Sequence, residues 1–192
     1  MRRVLLLVLL ALALPVLTWA NSSIDVTNVG GTITGTSAGL SLTGSVLIHY
    51  GSAIGSNLGS LTFSTGAFIS GDVMNGGTLA SGGTFTIMGN GTNGVPNGVI
   101  FSGTFTGNPV WTLTPLSDGT HIYSLSGAIA GGGTVGGTVQ LTMNVGKGLF
   151  PGTAGLTSGE TNLSVPEPGT LGLLGTGLLG IGGLMRRRLK IG

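Results

Sequence analysis

Short runs of alternating apolar and polar residues, cut every few positions by glycine, constrain this 192-residue chain more than any other feature. Leu40, Leu42, Val46 and Ile48 alternate with Ser41, Thr43 and Ser45, and Val99, Phe101 and Phe105 with Ser102, Thr104 and Thr106. Val139, Leu141, Met143 and Val145 do the same with Gln140, Thr142 and Asn144. Successive side chains of a strand point to opposite faces, so period two with many Thr marks half-buried strands. Further strands are expected near 24–29, 61–69, 84–88, 110–114 and 121–126. The separators Asn75-Gly76, Asn90-Gly91, Asn93-Gly94, Asn97-Gly98 and Asp118-Gly119 favour tight hairpins, and with them antiparallel pairing. No long 3.6-residue stripe interrupts this pattern in the body of the chain. The expected fold is all-β, an antiparallel β-sandwich or flattened barrel spanning residues 21–154. Phe63, Phe68, Phe85, Phe101, Phe105, Trp111 and Tyr123 would supply most of the bulky core. Gly83-Thr84-Phe85-Thr86 recurs as Gly103-Thr104-Phe105-Thr106, which keeps a β-solenoid as the second choice. Residues 155–164 are small and polar without a pattern, and read as a linker.

Both ends differ from this body. Arg2 and Arg3 precede an uninterrupted apolar run from Val4 to Leu14, Pro15 ends it, and small residues flank Trp19 in Thr18-Trp19-Ala20. Residues 1–20 thus read as a secretory signal peptide, cut between Ala20 and Asn21 by signal peptidase after passage through the Sec machinery. At the other end, residues 165–190 open with Val165, Pro166, Glu167 and Pro168 and continue into an apolar stretch, 169–185, ahead of a basic tail, 186–190. A helix over 169–185 would rise roughly 26 Å at 1.5 Å per residue, near the ~30 Å hydrocarbon thickness. Arg186, Arg187 and Arg188 would hold its end in the cytoplasm. Two prolines around Glu167 keep that peptide extended, a suitable handle for a processing enzyme.

This order of motif, spanning segment and basic tail resembles the PEP-CTERM sorting signal of Gram-negative bacteria. The resemblance implies exosortase as the processing partner, Val165 to Pro168 as the recognised motif, and Arg186 to Arg188 as the stop signal. It also implies transient anchorage in the inner membrane, then a place on the cell surface or in the extracellular matrix. Proteins with this signal are associated with exopolysaccharide and biofilm formation.

Charge excludes one class of partner. Six of seven basic residues lie at the two ends, and between Asn21 and Ser164 four acids stand against Lys147 alone, a net charge of −3. Nucleic-acid binding needs a Lys/Arg stripe on the folded body, and none is present. With no Cys among the 192 residues, thiolate catalysis, Cys-ligated zinc and disulfide staples are absent.

Enzyme-like motifs are explained by the 40 Gly of the chain. Gly35-Thr36-Ser37-Ala38-Gly39 matches a nucleophile elbow, which needs a helix after it, whereas Leu40 onward reads as a strand. The G-x-G-x-x-G matches at 89–94 and 131–136 open no helix. His49 and His121 have no ligand spacing around them, so no metal or cofactor is expected. The expectation is a non-enzymatic exported protein with a structural role. The alternative is a carbohydrate-binding module, which would need an exposed aromatic platform drawn from Tyr50, Trp111 and Tyr123.

Overall fold

The computed structural model describes residues 22–131 and 136–165. Residues 23–166 make one compact unit, built of strands without a helix among the described residues. In chain order these are β1 (Ser22–Val29), β2 (Thr32–Thr36), β3 (Gly39–Tyr50), β4 (Ala53–Ser64), β5 (Phe68–Asp72) and β6 (Gly76–Leu79). There follow β7 (Gly82–Asn90), β8 (Asn97–Pro115), β9 (His121–Gly131), β10 (Gly136–Gly146), β11 (Thr153–Gly155) and β12 (Ser158–Val165).

The pairing reduces these twelve segments to eight strands. β1 and β2 both pair along β3, as one strand broken at Gly30-Gly31. Both glycines have positive φ, and a Cβ on Gly31 would lie 2.6 Å from the Ser45 nitrogen, so the break requires glycine. β4 and β5 likewise run along β7 and β6, which in turn flank successive parts of β8. β8 pairs β9, β9 pairs β10, and β10 pairs β12. Finally β12 adjoins β1 and β11 pairs β2. Each strand is antiparallel to the next in sequence and the last returns to the first. The sheet therefore closes as an eight-stranded up-and-down barrel, which removes most exposed edges. Of the expected folds the barrel is present, while a two-sheet sandwich and a solenoid are not.

Alternation sorts the residues as the sequence implies. Ile33, Leu42, Leu61, Phe85, Phe105, Leu125 and Leu141 face a single core, while Thr34, Thr62, Thr104, Thr112 and Gln140 face outward. That arrangement is the reverse of a lipid-facing barrel, whose outer band is apolar. Eight strands leave an interior that side chains can fill. Phe63, Phe85, Phe101 and Phe105 pack in one cluster, with edge-on contacts at ring centroids 5.8–6.1 Å apart. The tetrapeptide repeat thus falls on neighbouring strands, with Phe85 opposite Gly103 and edge-on to Phe105.

A second aromatic cluster closes one end of the barrel. Trp111 and Tyr123 stack with centroids 5.1 Å apart, and Phe150 packs edge-on to Trp111 at 5.8 Å. The Trp111 indole Nε1 donates to the Val73 carbonyl at 2.9 Å, and the Tyr123 hydroxyl donates to the Met74 carbonyl. These bonds hold the β5–β6 turn over the barrel end. Phe68, expected in the core, is only half-buried, whereas Phe150, in an irregular segment without periodicity, is fully buried.

Two boundaries differ from expectation. Strands expected at 99–106 and 110–114 are one strand, β8, with its register shifted between Thr106 and Val110. More consequentially, residues 155–164 are not a linker. They contain β12, seven of whose residues pair in register with β10, from Ser158 opposite Thr142 to Ser164 opposite Gly136. Its inward positions are Gly159, Thr161 and Leu163, only one of them a large apolar residue. Gly159 is small because a Cβ there would lie 2.2 Å from Leu141 and 2.5 Å from Asn28. Tight packing has removed the apolar signal that would mark the strand.

Candidate functional site

Two features of the barrel merit attention as sites. The first is the strand that leads out of it. β12 ends at Val165, and Pro166 follows directly. Proline has no N–H to give a ladder, so pairing stops there for a covalent reason. Val165 belongs to the barrel. Pro166, Glu167 and Pro168, the segment 169–185, and Arg186, Arg187 and Arg188 lie outside the described residues, as do Ala20, Asn21 and the whole of 1–20.

The second is an open groove of about 570 Å³ on the flank where the barrel closes. Outward residues of five adjacent strands line it. The β1 and β3 pairing sets Thr27 beside His49. Glu160 of β12 stands opposite Gln140 of β10, which stands opposite Ser126 of β9. Asn162 faces Thr138 in the next row, and its Nδ2 donates to Asp25 Oδ1 at 2.6 Å. Thr161, between Glu160 and Asn162, points inward beneath the groove, and its buried Oγ1 has no hydrogen-bond partner among the described residues. No local sequence pattern marks this groove, because Asp25 and Glu160 come from opposite ends of the body and share a surface only where β1 meets β12.

The other two acids of the body have local roles. Asp72 Oδ1 accepts from the backbone N–H groups of Met74 and Asn75 at 2.7 and 2.8 Å, and Oδ2 accepts from the Asn75 amide. Asp118 Oδ1 accepts from the Thr120 N–H and hydroxyl. Side-chain and backbone hydrogen bonds from Asn75, with a further one from Met74, hold the Asp72 carboxyl below its ordinary 3.8. Those from Thr120 do the same for Asp118. A depressed folded value stabilises the fold above the ordinary value and loses that effect as pH falls through the folded one. Asp72→Ala should therefore lower Tm at neutral pH, and the difference from the parent should shrink as the pH is taken well below 3.8. Thermal melts across an acid series check this.

The expected motifs resolve in structural terms. Gly35 to Gly39 is the tight turn between β2 and β3, with strand on both sides, so Ser37 is not on a nucleophile elbow. Gly89 to Gly94 forms the end of β7 and its turn. The aromatic platform is not assembled: Trp111 is 1% exposed and Tyr123 fully buried, so neither can stack on a ligand at the surface. Tyr50 is half-buried, and burial raises its phenol pKa. His121 sits apart from His49, its Nδ1 accepting from the Gly148 N–H at 3.4 Å. Among the described residues no three His, Cys, Asp or Glu side chains converge on a possible metal position.

A closed antiparallel barrel with a hydroxyl-rich exterior, whose last strand runs straight into a Pro-Glu-Pro peptide, defines a β-protein built to be handled through its C-terminal end. The family model of the PEP-CTERM protein-sorting motif matches residues 164–188. The chain thus carries a PEP-CTERM sorting motif at its C-terminal end. The match begins at Ser164, so the motif overlaps the last two residues of β12. It implies exosortase as processing partner, with export and C-terminal membrane anchoring before processing. No curated protein and no solved structure matches the chain.

Proposed function

We propose that the protein is a non-enzymatic structural component of the cell surface or extracellular matrix of a Gram-negative bacterium, linked to its exopolysaccharide. Signal peptidase would release residues 1–20, the segment 169–185 would hold the chain in the inner membrane, and exosortase would process it at Val165 to Pro168. The observation that carries this reading is the sorting motif at 164–188, beginning where the barrel ends. Processing C-terminal to Val165 leaves every strand in place, so the product keeps its fold after the anchor is removed.

A structural role is favoured by the way the charged residues are used. Asp72 and Asp118 close turns, and the Asp25 carboxylate is held by the Asn162 amide rather than by an imidazole. General acid–base chemistry needs a proton-transferring side chain poised against another reacting group, and three of the four acids of the body are instead held by hydrogen-bond donors. The carbohydrate-binding alternative in its aromatic form has lost Trp111 and Tyr123 to the core.

Intact-mass measurement of the protein recovered from its host's envelope and medium tests the sorting scheme. The expected species begins at Asn21 and ends near Pro166 to Pro168. A species that retains Leu171 to Gly192 would make the tail a permanent anchor and remove exosortase processing from the scheme.

A further inference from the structure

We propose that the end of the barrel from which the chain departs docks on the lipid headgroup layer of the membrane that anchors it, through an apolar rim made by Ile54, Met88 and Val99. The proposal rests on C-terminal membrane anchoring before processing.

Strand pairing identifies that end. Val165 leaves beside the start of β10 and the end of β9, since Ser164 pairs with Gly136 and Gly136 with Ala130. Asp25, near the start of β1, lies against Asn162 at the same level. Tyr50 pairs with Ala53 across the β3–β4 turn, and Asn90 with Asn97 across the β7–β8 turn, so both turns belong to this end. Residues 97–102 of β8 run beyond its last pairing with β9, Gly103 opposite Gly131, and carry the β7–β8 hairpin past that neighbour.

Charge and apolar surface divide between the two ends. The connections at the exit end, 51–52, 91–96 and 132–135, contain no Asp, Glu, Lys or Arg. Asp25, His49 and Glu160 line the flank groove, and Asp25 is held by Asn162. Ile54 and Val99 are 76% and 62% exposed, the two most exposed large apolar side chains among the described residues. Met88, also exposed, stands opposite Val99, and the Asn93 amide donates to the Ile54 carbonyl at 3.3 Å, which joins Ile54 to the same hairpin tip. Tyr50, half-buried beside them, is amphipathic in the way that suits a membrane–water interface. At the opposite end the exposed Met74, Leu116 and Leu149 each lie two residues from a charged side chain, Asp72, Asp118 or Lys147. Only the exit end offers apolar groups that can enter a headgroup layer without desolvating a charge.

The tether brings this end to the membrane. Only Pro166, Glu167 and Pro168 separate Val165 from the segment 169–185, a reach of about 12 Å at ~3.1 Å per residue. The headgroup layer takes up about 5–8 Å of it. β7 lies four strands from β12 in either direction around the ring, so the rim supplies a second support directly across from the tether.

The chain has no Cys, which makes single-site fluorescent labelling a clean test. The full chain, exported by a bacterial host without exosortase, is reconstituted in vesicles of phosphatidylethanolamine and phosphatidylglycerol containing a lipid with a nitroxide on its headgroup. Labels at Ile54→Cys and Val99→Cys should lose most of their emission to the nitroxide lipid. A label at Leu149→Cys, about 25 Å away along tilted strands, should keep it. All three positions are exposed, and thermal melts monitor folding. A further form with six Gly/Ser residues inserted between Val165 and Pro166 separates docking from mere tethering: the Ile54→Cys label should stay quenched there, and Met88→Asp with Val99→Asp should restore its emission. Full emission at 54 and 99 in vesicle-bound protein overturns the proposal while anchoring stands. Loss of quenching on lengthening the tether alone, or quenching that survives the two Asp substitutions, overturns it too. Shielding of the labels from aqueous iodide without quenching by the lipid would assign the rim to a second copy of the chain, again overturning it. Vesicle flotation reads anchoring independently; a chain that does not float would remove the anchor, and the docking with it.

Discussion

Deletion of residues 156–164 will abolish the folded state. The deleted segment removes β12 from between β1 and β10, opening the ring at a strand that both neighbours need. It also removes Leu156 and Leu163, both buried, at roughly 1.5–3 kcal/mol each. The uncovered edges expose Val26, Val139 and Leu141, and the backbone partners of seven paired β12 residues are lost. These losses compare with a total stability of about 5–15 kcal/mol for an ordinary domain. Circular dichroism should show no cooperative thermal transition, and limited proteolysis should degrade the deletion variant rapidly. Inserting six Gly/Ser residues between Val165 and Pro166 is the matching control, and should leave Tm unchanged. A deletion variant that melts near the parent temperature would mean that ring closure contributes little.

Trp111→Ala should cost about 3–5 kcal/mol, the usual penalty for emptying a large aromatic site in a core. The indole stacks on Tyr123, meets Phe150 edge-on and anchors the β5–β6 turn through Val73. Removing it undoes two aromatic contacts and leaves the Val73 carbonyl without its donor. Trp111→Phe isolates the last effect. It keeps most of the ring volume, so the expected cost falls to about 1 kcal/mol, that of a lost hydrogen bond to a part-buried acceptor. Urea unfolding curves check both, with the midpoint shifting and the slope unchanged. A surface-platform role predicts the opposite pattern, in which Trp111→Ala leaves stability intact.

The position of β12 also bears on processing. The motif begins within the last strand, at Ser164 and Val165, so the residues ahead of Pro166 are hydrogen-bonded into the barrel. The peptide preceding the prolines is thus presented by a folded edge, a different substrate from the flexible tether that its composition suggests.

What the sequence by itself determined is the class of structure and the means of delivery. Period-two alternation in segments such as 40–48 and 139–145 specifies strands because a strand has two faces and one must be buried. Asn-Gly and Asp-Gly pairs specify antiparallel hairpins, because few other residues enter those turns. The Pro-Glu-Pro motif and its basic tail are local and linear, and so are readable without a fold. Tertiary structure alone decided how the sheet ends. Closure depends on β12 meeting β1, a contact between opposite ends of the body whose inward residues include, beside Val26 and Leu163, the small or polar Gly159, Thr161 and Asn28. Such positions leave no apolar period to read. The same holds for Phe150, which is buried because a loop folds inward over Trp111. It holds again for the groove, whose two carboxylates are 135 positions apart in the chain and share a surface only once the barrel has closed.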